Sequence, residues 1–225
     1  MTDVTPAYDR FSLILRGLKN ADRFAVGRRL LSVVALGALA ERNEPGSWRE
    51  LRRILHEPSF ERGSSILLNM AAAVEKSDPR LARVFTQVLV NDALHSRSFA
   101  ETLLGALSVL EGWLPLSDQA AFGRWFNAAL DEASNSGPAI GDIATSRNVS
   151  ELLIALADLK PGQSLYDPCS GLAGLLSLAE QQAGPLDIMG RDIHPISWAL
   201  GSLRLHLLGS KATIEQGDSL DQRYR

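Results

Sequence analysis

The stretch SLYDPCSGLAGLL, residues 164–176, decides how this chain is read. Ser164 to Asp167 has the composition of a short strand, and Pro168 removes a backbone donor where that strand must end. Gly171, Ala173 and Gly174 then open a helix with residues that carry little or no side chain. Strand, small-residue turn and helix in succession belong to an α/β fold, where ligands lie at the carboxyl ends of the strands. Such a turn lets a ligand approach backbone closely, and the first N–H groups of the helix have no partner within it.

The neighbouring segments extend the pattern. Upstream, SRNVSELLIALADL (146–159) reads as a helix and KPGQ as a turn. Downstream come a strand LDIMGRDI (186–193), a helix PISWALGSLRLHLLG (195–209) and a strand ATIEQGD (212–218). Alternation at this spacing implies right-handed crossovers and a parallel sheet. Three strands are few for a doubly wound domain, and an unpaired edge offers a route to a homodimer. Asp167, Asp192 and Asp218 each close one of the three strands. Asp192, 25 residues beyond Asp167, stands where an acidic side chain takes ribose hydroxyls, and Asp218 is placed to reach an adenine edge. Singly, each aspartate is as readily a helix cap. All three in order point to a nucleoside-containing cofactor. A dinucleotide fingerprint lacks the Asp-Pro pair ahead of its glycines, and a nucleotide-dependent oxidoreductase would need a further glycine and a substrate domain, neither of which is seen.

Residues 1–135 read differently, as a helical domain of about six helices. RFAVGRRLLSVVALGALAER (23–42) carries apolar residues at mixed three- and four-residue spacing. SWRELRRILHE begins at Ser47 with Glu50 three residues on, the pattern of a capping box. Further helical runs are GSSILLNMAAAVEK, DPRLARVFTQVLVND, SFAETLLGALSVLEGW and SDQAAFGRWFNAALDEA, with start signals at Asp78-Pro79 and Ser117-Asp118. Trp113, Trp125 and Phe126 read as core, and Arg49, Arg52 and Arg53 as a solvated face. SNSGPAIGD (134–142) is a linker, and residues 136–225 form the partial α/β domain.

The bulk numbers bound the function. The 225 residues are 45% apolar and 22% charged, with a net charge of −3. Up to residue 140 there are 16 basic against 16 acidic residues, and beyond it 7 against 10. Neither part has the basic excess that phosphate neutralisation favours, so a DNA-directed role would take most of its grip from elsewhere. The longest apolar run, Leu30 to Ala40, is far short of the ~20 residues that span a bilayer. The start MTDVTPAYDR lacks a secretory layout, one cysteine permits no internal disulfide, and no Cys/His cluster suggests zinc. A cytoplasmic protein without membrane contact is expected. Cys169 has no neighbouring histidine and reads as a packing or cofactor contact rather than a nucleophile.

SLYDPCSGLAGLL resembles the cofactor motif, D-P-x-x-G-x-G/A-G, of the N-6 adenine-specific DNA methyltransferases, in particular the modification (M) subunits of type I restriction systems. GDIATSR (141–147) is similar to their G-E/Q-x-x-T-P-R segment, with Ser146 where proline is usual. MGRDIHPISWALGSLRLHLLG resembles their G-x-E segment and the helix ending in L-H-G; Asp192 replaces glutamate, Gly201 and Ser202 replace a Met-Asn pair, and His206 matches the helix-end histidine. GDSL matches G-D/N-T/S-L. More faintly, FERGSSILLNMAAAVEKSDPRLARVFTQV resembles the helical domain that precedes these motifs.

The resemblance implies an α plus α/β architecture: an amino-terminal all-helical domain followed by the start of a Rossmann-like, S-adenosylmethionine-dependent methyltransferase domain with an incomplete parallel sheet. It assigns Asp142, Thr145, Ser146 and Arg147, then Asp167, Pro168, Ser170, Gly171, Ala173 and Gly174, then Asp192, Ile193 and Asp218 to the S-adenosylmethionine site. It assigns no metal ligand. As partners it implies DNA in the intact assembly, a specificity subunit that reads the sequence, and a restriction subunit. The family's N/D-P-P-F/Y motif, which aligns the weakly nucleophilic adenine nitrogen and stacks on the flipped base, does not occur in these 225 residues. The chain is therefore expected to be part of a longer methyltransferase and inactive alone. The alternative expectation is a non-catalytic, methyltransferase-like assembly or regulatory module.

Overall fold

The computed structural model describes residues 3–17, 23–55, 60–90, 105–110, 112–135 and 145–221. The chain divides into two compact units, Met1–Gly137 and Pro138–Arg225. The first contains α1 (Thr5–Gly17), α2 (Arg23–Asn43), α3 (Ser47–Leu55), α4 (Phe60–Ser77) and α5 (Gln119–Asn135), with a 3-10 turn Pro79–Leu81, a π-helix Val84–Leu89 and a helical stretch over 105–110.

Helix α2 is the axis of this unit. Every residue from Leu30 to Ala40 is buried, because α3, α4 and α5 all pack on it. A helix covered on several sides shows no single apolar stripe, which explains its mixed spacing. Gly37 lets α3 come close: a Cβ there would lie 2.6 Å from the Trp48 ring and from Leu51. From α5, Phe122, Trp125 and Phe126 are fully buried, and Trp125 meets Phe11 edge-on at 6.1 Å. Glu132 fastens α5 to α1 by accepting from the Tyr8 and Ser12 hydroxyls at 3.0 Å each.

Local details depart from the sequence reading for identifiable reasons. Ser47 and Glu50 do not form a capping box: the Ser47 hydroxyl donates to the Glu44 carbonyl and Glu50 pairs with Arg53. Glu41, from the end of α2, caps α3 instead, accepting from Trp48 N at 2.7 Å and Gly46 N at 3.0 Å. Asp78 caps as expected, accepting from Arg80 N at 3.0 Å. The following segment leaves α-helical geometry because Arg83 adopts φ 68° and the Glu75 carboxylate takes the N–H groups of Phe85 and Thr86. The helix expected from Ser117 is initiated by Asp118, which accepts from Ala121 N at 2.9 Å. Trp113 is 47% exposed rather than core, with the Arg10 guanidinium 4.9 Å above its ring. The linker beyond residue 135 and much of SFAETLLGALSVLEGW lie outside the described residues.

The second unit follows the expected alternation: α6 (Arg147–Ala157), β1 (Ser164–Asp167), α7 (Gly174–Ala183), β2 (Asp187–Asp192), α8 (Pro195–Leu207) and β3 (Thr213–Gln216). The strands are parallel in the order β1-β2-β3, with Tyr166 opposite Met189 and Asp192 opposite Gln216. When successive strands step in one direction, right-handed crossovers put both connecting helices on one face. That face holds the core of Ala173, Leu176, Ala179, Ile188 and Leu205, joined by Ile154 of α6. On the other face Tyr166 and Met189 are about half exposed, although parallel sheets are ordinarily covered on both sides.

Replacing Glu41 by alanine tests the substituted cap. The two N–H groups hold its carboxyl below the ordinary glutamate value. Its contribution is therefore complete above the unfolded-state pKa of about 4.3 and disappears as pH falls through the lower folded value. Denaturant unfolding near neutral pH should show Glu41→Ala less stable by about 1 kcal/mol. The two proteins should converge in acid.

Candidate functional site

The turn after β1 is built almost wholly from backbone. Asp167, the last residue of the strand, accepts from Cys169 N at 3.0 Å and starts the reversal. Ser170 is buried and donates both its N–H, at 2.9 Å, and its hydroxyl, at 3.2 Å, to the Arg191 carbonyl. Gly171 adopts φ +53°, a conformation that glycine enters without strain, and donates its N–H to Asp192 Oδ2 at 2.7 Å. Ala173 is also left-handed, at φ +57°, and donates to the Ser170 carbonyl at 2.8 Å. Ser177 N then bonds to the Ala173 carbonyl and α7 begins.

The three strand ends are tied to one another. Asp192 holds Gly171 with one oxygen and accepts from His194 N at 2.9 Å with the other. Its carbonyl accepts from Gly217 N at 2.9 Å, and the Ser219 hydroxyl donates to the Pro168 carbonyl. Arg191 and Glu215 form an ion pair between β2 and β3. Asp218 lies two residues past the end of β3 rather than on it, is exposed, and accepts from Leu220 N at 2.8 Å.

Each of the three aspartates thus shapes a turn, as the capping reading anticipated. That role does not exhaust them: a carboxylate offers about four acceptor sites, and the bonds described for half-buried Asp192 use two. Pro168 and Gly174 are exposed at the two ends of the turn, and Ile193 is 67% exposed beside Asp192. Cys169 is exposed within the turn. The structure therefore gathers Asp167, Pro168, Ser170, Gly171, Ala173, Gly174, Asp192, Ile193 and Asp218 at one edge of the sheet.

The remaining candidates stand apart in the bonding pattern. Thr145 and Ser146 are exposed before α6, where Ser146 caps Val149 N, and Arg147 pairs with Glu151 at 2.8 Å. None of these bonds reaches the turn. Asp142 lies outside the described residues. Ser219 was read within GDSL, but its bond to the distant Pro168 carbonyl was not. One residue at this edge escaped the sequence reading altogether. Arg204, buried at 1% exposure, was signalled by being the one cation inside the apolar run ALGSLRLHLL. Among the described residues no cluster of His, Cys, Asp and Glu could hold a metal ion, and no helix is long and apolar enough to cross a membrane.

Residues 117–224, just under half of the chain, match the N-6 DNA Methylase family, which bears out the resemblance read from the motifs. Among solved structures, the chain is similar to the type I restriction-modification system methyltransferase subunit of Streptococcus thermophilus, with a TM-score of 0.58 and 14% identity. All of this chain is covered, against 60% of that one. A Listeria monocytogenes protein described as a class I S-adenosylmethionine-dependent methyltransferase aligns over 88% of this chain and 55% of its own, at 16% identity. Its TM-score is 0.43. A comparison with curated proteins returns no match.

The Asp192 clamp has a direct test. In Asp192→Asn an amide NH₂ replaces one accepting oxygen and confronts a backbone donor. Stability should fall by about 1–3 kcal/mol, and the Gly171 and His194 amides should exchange with deuterium faster than in the wild type.

Proposed function

We propose, on the match of residues 117–224 to the N-6 DNA Methylase family, that this chain supplies the helical and cofactor-binding portion of an adenine-specific DNA methyltransferase of the type I modification-subunit kind. Its turn at 167–174 is the seat of S-adenosylmethionine. The reading is carried by the clamp at the strand ends, where Asp192 pins the Gly171 backbone while the turn stays open outward. Among the described residues, a Cβ on Gly171 would meet no atom within 4 Å. The residue is glycine for its φ of +53°, and no described residue fills the space that a ligand would take above it.

The residues fit the parts of that cofactor. Asp167 and the turn backbone orient the methionine portion, with the start of α7 directed at it. Asp192 retains acceptor capacity for the ribose hydroxyls, and Ile193 beside it offers an exposed apolar side chain. Asp218 stands within the same strand-end network for the amino edge of the adenine. S-adenosylmethionine, when bound, supplies an electrophilic methyl group on a positively charged sulfur. The acceptor nitrogen of a target adenine is conjugated and weakly nucleophilic, and the family aligns it with N/D-P-P-F/Y, a motif absent from these 225 residues. In this chain cofactor binding is therefore separated from transfer. The net charge of −3 supports delegating DNA contact to a specificity subunit, with a restriction subunit as a further partner.

Cys169, the sole cysteine and exposed in the turn, gives a clean footprint. Saturating S-adenosylmethionine should slow its alkylation by a maleimide, and calorimetry should show saturable binding that Asp192→Ala weakens by about tenfold or more. Unchanged alkylation together with no binding heat would remove the reading. In a separate assay with tritiated S-adenosylmethionine and adenine-containing DNA, the chain alone should incorporate no methyl label above background.

A further inference from the structure

The turn hangs from the strand ends, and it also rests on α8. The contact is made at Gly201, where a Cβ would lie 2.8 Å from the Gly171 carbonyl oxygen, 3.1 Å from Ile214 Cδ1 and 3.3 Å from the Ala173 Cβ. The first of these is closer than a carbon and a backbone oxygen can sit, so a side chain at 201 forces something to move. The Gly171 backbone has little freedom to retreat, since its own N–H is held by Asp192 at 2.7 Å. Ala173 is fully buried, and its left-handed φ of +57° is a conformation that a non-glycine residue enters at a cost. Its methyl occupies part of the space that a residue larger than glycine would need at 201.

One turn of helix further on, Arg204 continues the floor. Its side chain is buried, and its Nη1 would lie 3.1 Å from a Cβ on Gly174. Residues 201 and 204 share a face of α8 by their spacing, so this face meets the turn along its length, at Gly171, Ala173 and Gly174. The helix is itself anchored to the sheet, because Trp198 Nε1 donates to the Ile214 carbonyl at 2.8 Å. A change at 201 is consequently passed to the turn rather than absorbed by movement of the helix.

From this geometry we infer that Gly201 is a positioning residue for the turn. By carrying no Cβ it lets the Gly171 carbonyl and the Ala173 methyl settle onto α8, and this sets the height at which residues 171–174 meet their ligand. Ala173 and Gly201 form a size-matched pair, the methyl of one filling the space vacated by the other. The inference rests on the reading of the turn as the seat of S-adenosylmethionine, but the position of the turn can be measured with no ligand present.

The test uses the full chain and the variants Gly201→Ala, Ala173→Gly/Gly201→Ala and Ser202→Ala. The rate at which Cys169 reacts with a maleimide reads the turn without ligand, and calorimetry reads affinity for S-adenosylmethionine. Gly201→Ala should change the alkylation rate about threefold or more and weaken binding by about tenfold, the range expected of an overpacked contact. Removing the facing methyl in the double variant should return both readouts part of the way to the wild type. Ser202→Ala, next in the helix, should leave both unchanged. A Gly201→Ala protein with wild-type alkylation rate and affinity within about twofold overturns the inference. So does a double variant no closer to the wild type than the single one, including one equally insoluble if the single variant does not fold. If the wild type itself binds no S-adenosylmethionine, the cofactor reading fails, while the alkylation rates still decide whether Gly201 positions the turn.

Discussion

One hydrogen bond organises the site: the Gly171 N–H donated to the Asp192 carboxylate at 2.7 Å. It joins the first turn to the end of the second strand and holds Gly171 in a left-handed conformation. The same carboxylate receives His194 N, and the Asp192 carbonyl receives Gly217 N. One residue thereby sets the relative position of the loops after all three strands. A charged acceptor suits this place because bonds to ionised groups are stronger than neutral ones. A half-buried position keeps part of the carboxylate available to a ligand.

Much of the second unit was legible because its sequence signals are local and agree with one another. The helix Gly174–Ala183 begins where the small-residue turn places it, and the strands ending at Asp167 and Asp192 end on the residues named from sequence. Asp218 was read as a strand end, yet β3 stops at Gln216 and the aspartate caps the next turn. Local composition cannot tell a strand terminus from the turn that follows it. The floor beneath the turn was not legible either. Gly201 reads in sequence as a departure from a pattern, and its reason, a carbonyl oxygen 2.8 Å from the missing Cβ, is a contact between segments 30 residues apart.

The helical unit shows the same division between local and distant causes. Asp78 caps the segment it precedes, as its position foretold, whereas the helix expected from Ser117 is capped one residue later by Asp118. Ser47 and Glu50 have the right spacing for a capping box, but the start of α3 is capped by Glu41, which the turn after α2 brings over the Gly46 and Trp48 N–H groups. Trp113 has a core residue's chemistry and an exposed position, where an arginine covers its ring instead of apolar neighbours. Burial of an aromatic depends on which elements surround it, and a single segment does not carry that information.

Amide chemical-shift mapping of the full chain during titration with S-adenosylmethionine tests the central claim most directly. The account predicts saturable shifts concentrated at 167–174, 191–194 and 217–219, the three loops joined through Asp192, with the helical unit left unperturbed. Absence of saturable shifts, or shifts centred on α1 to α5 with the turn unmoved, would contradict it.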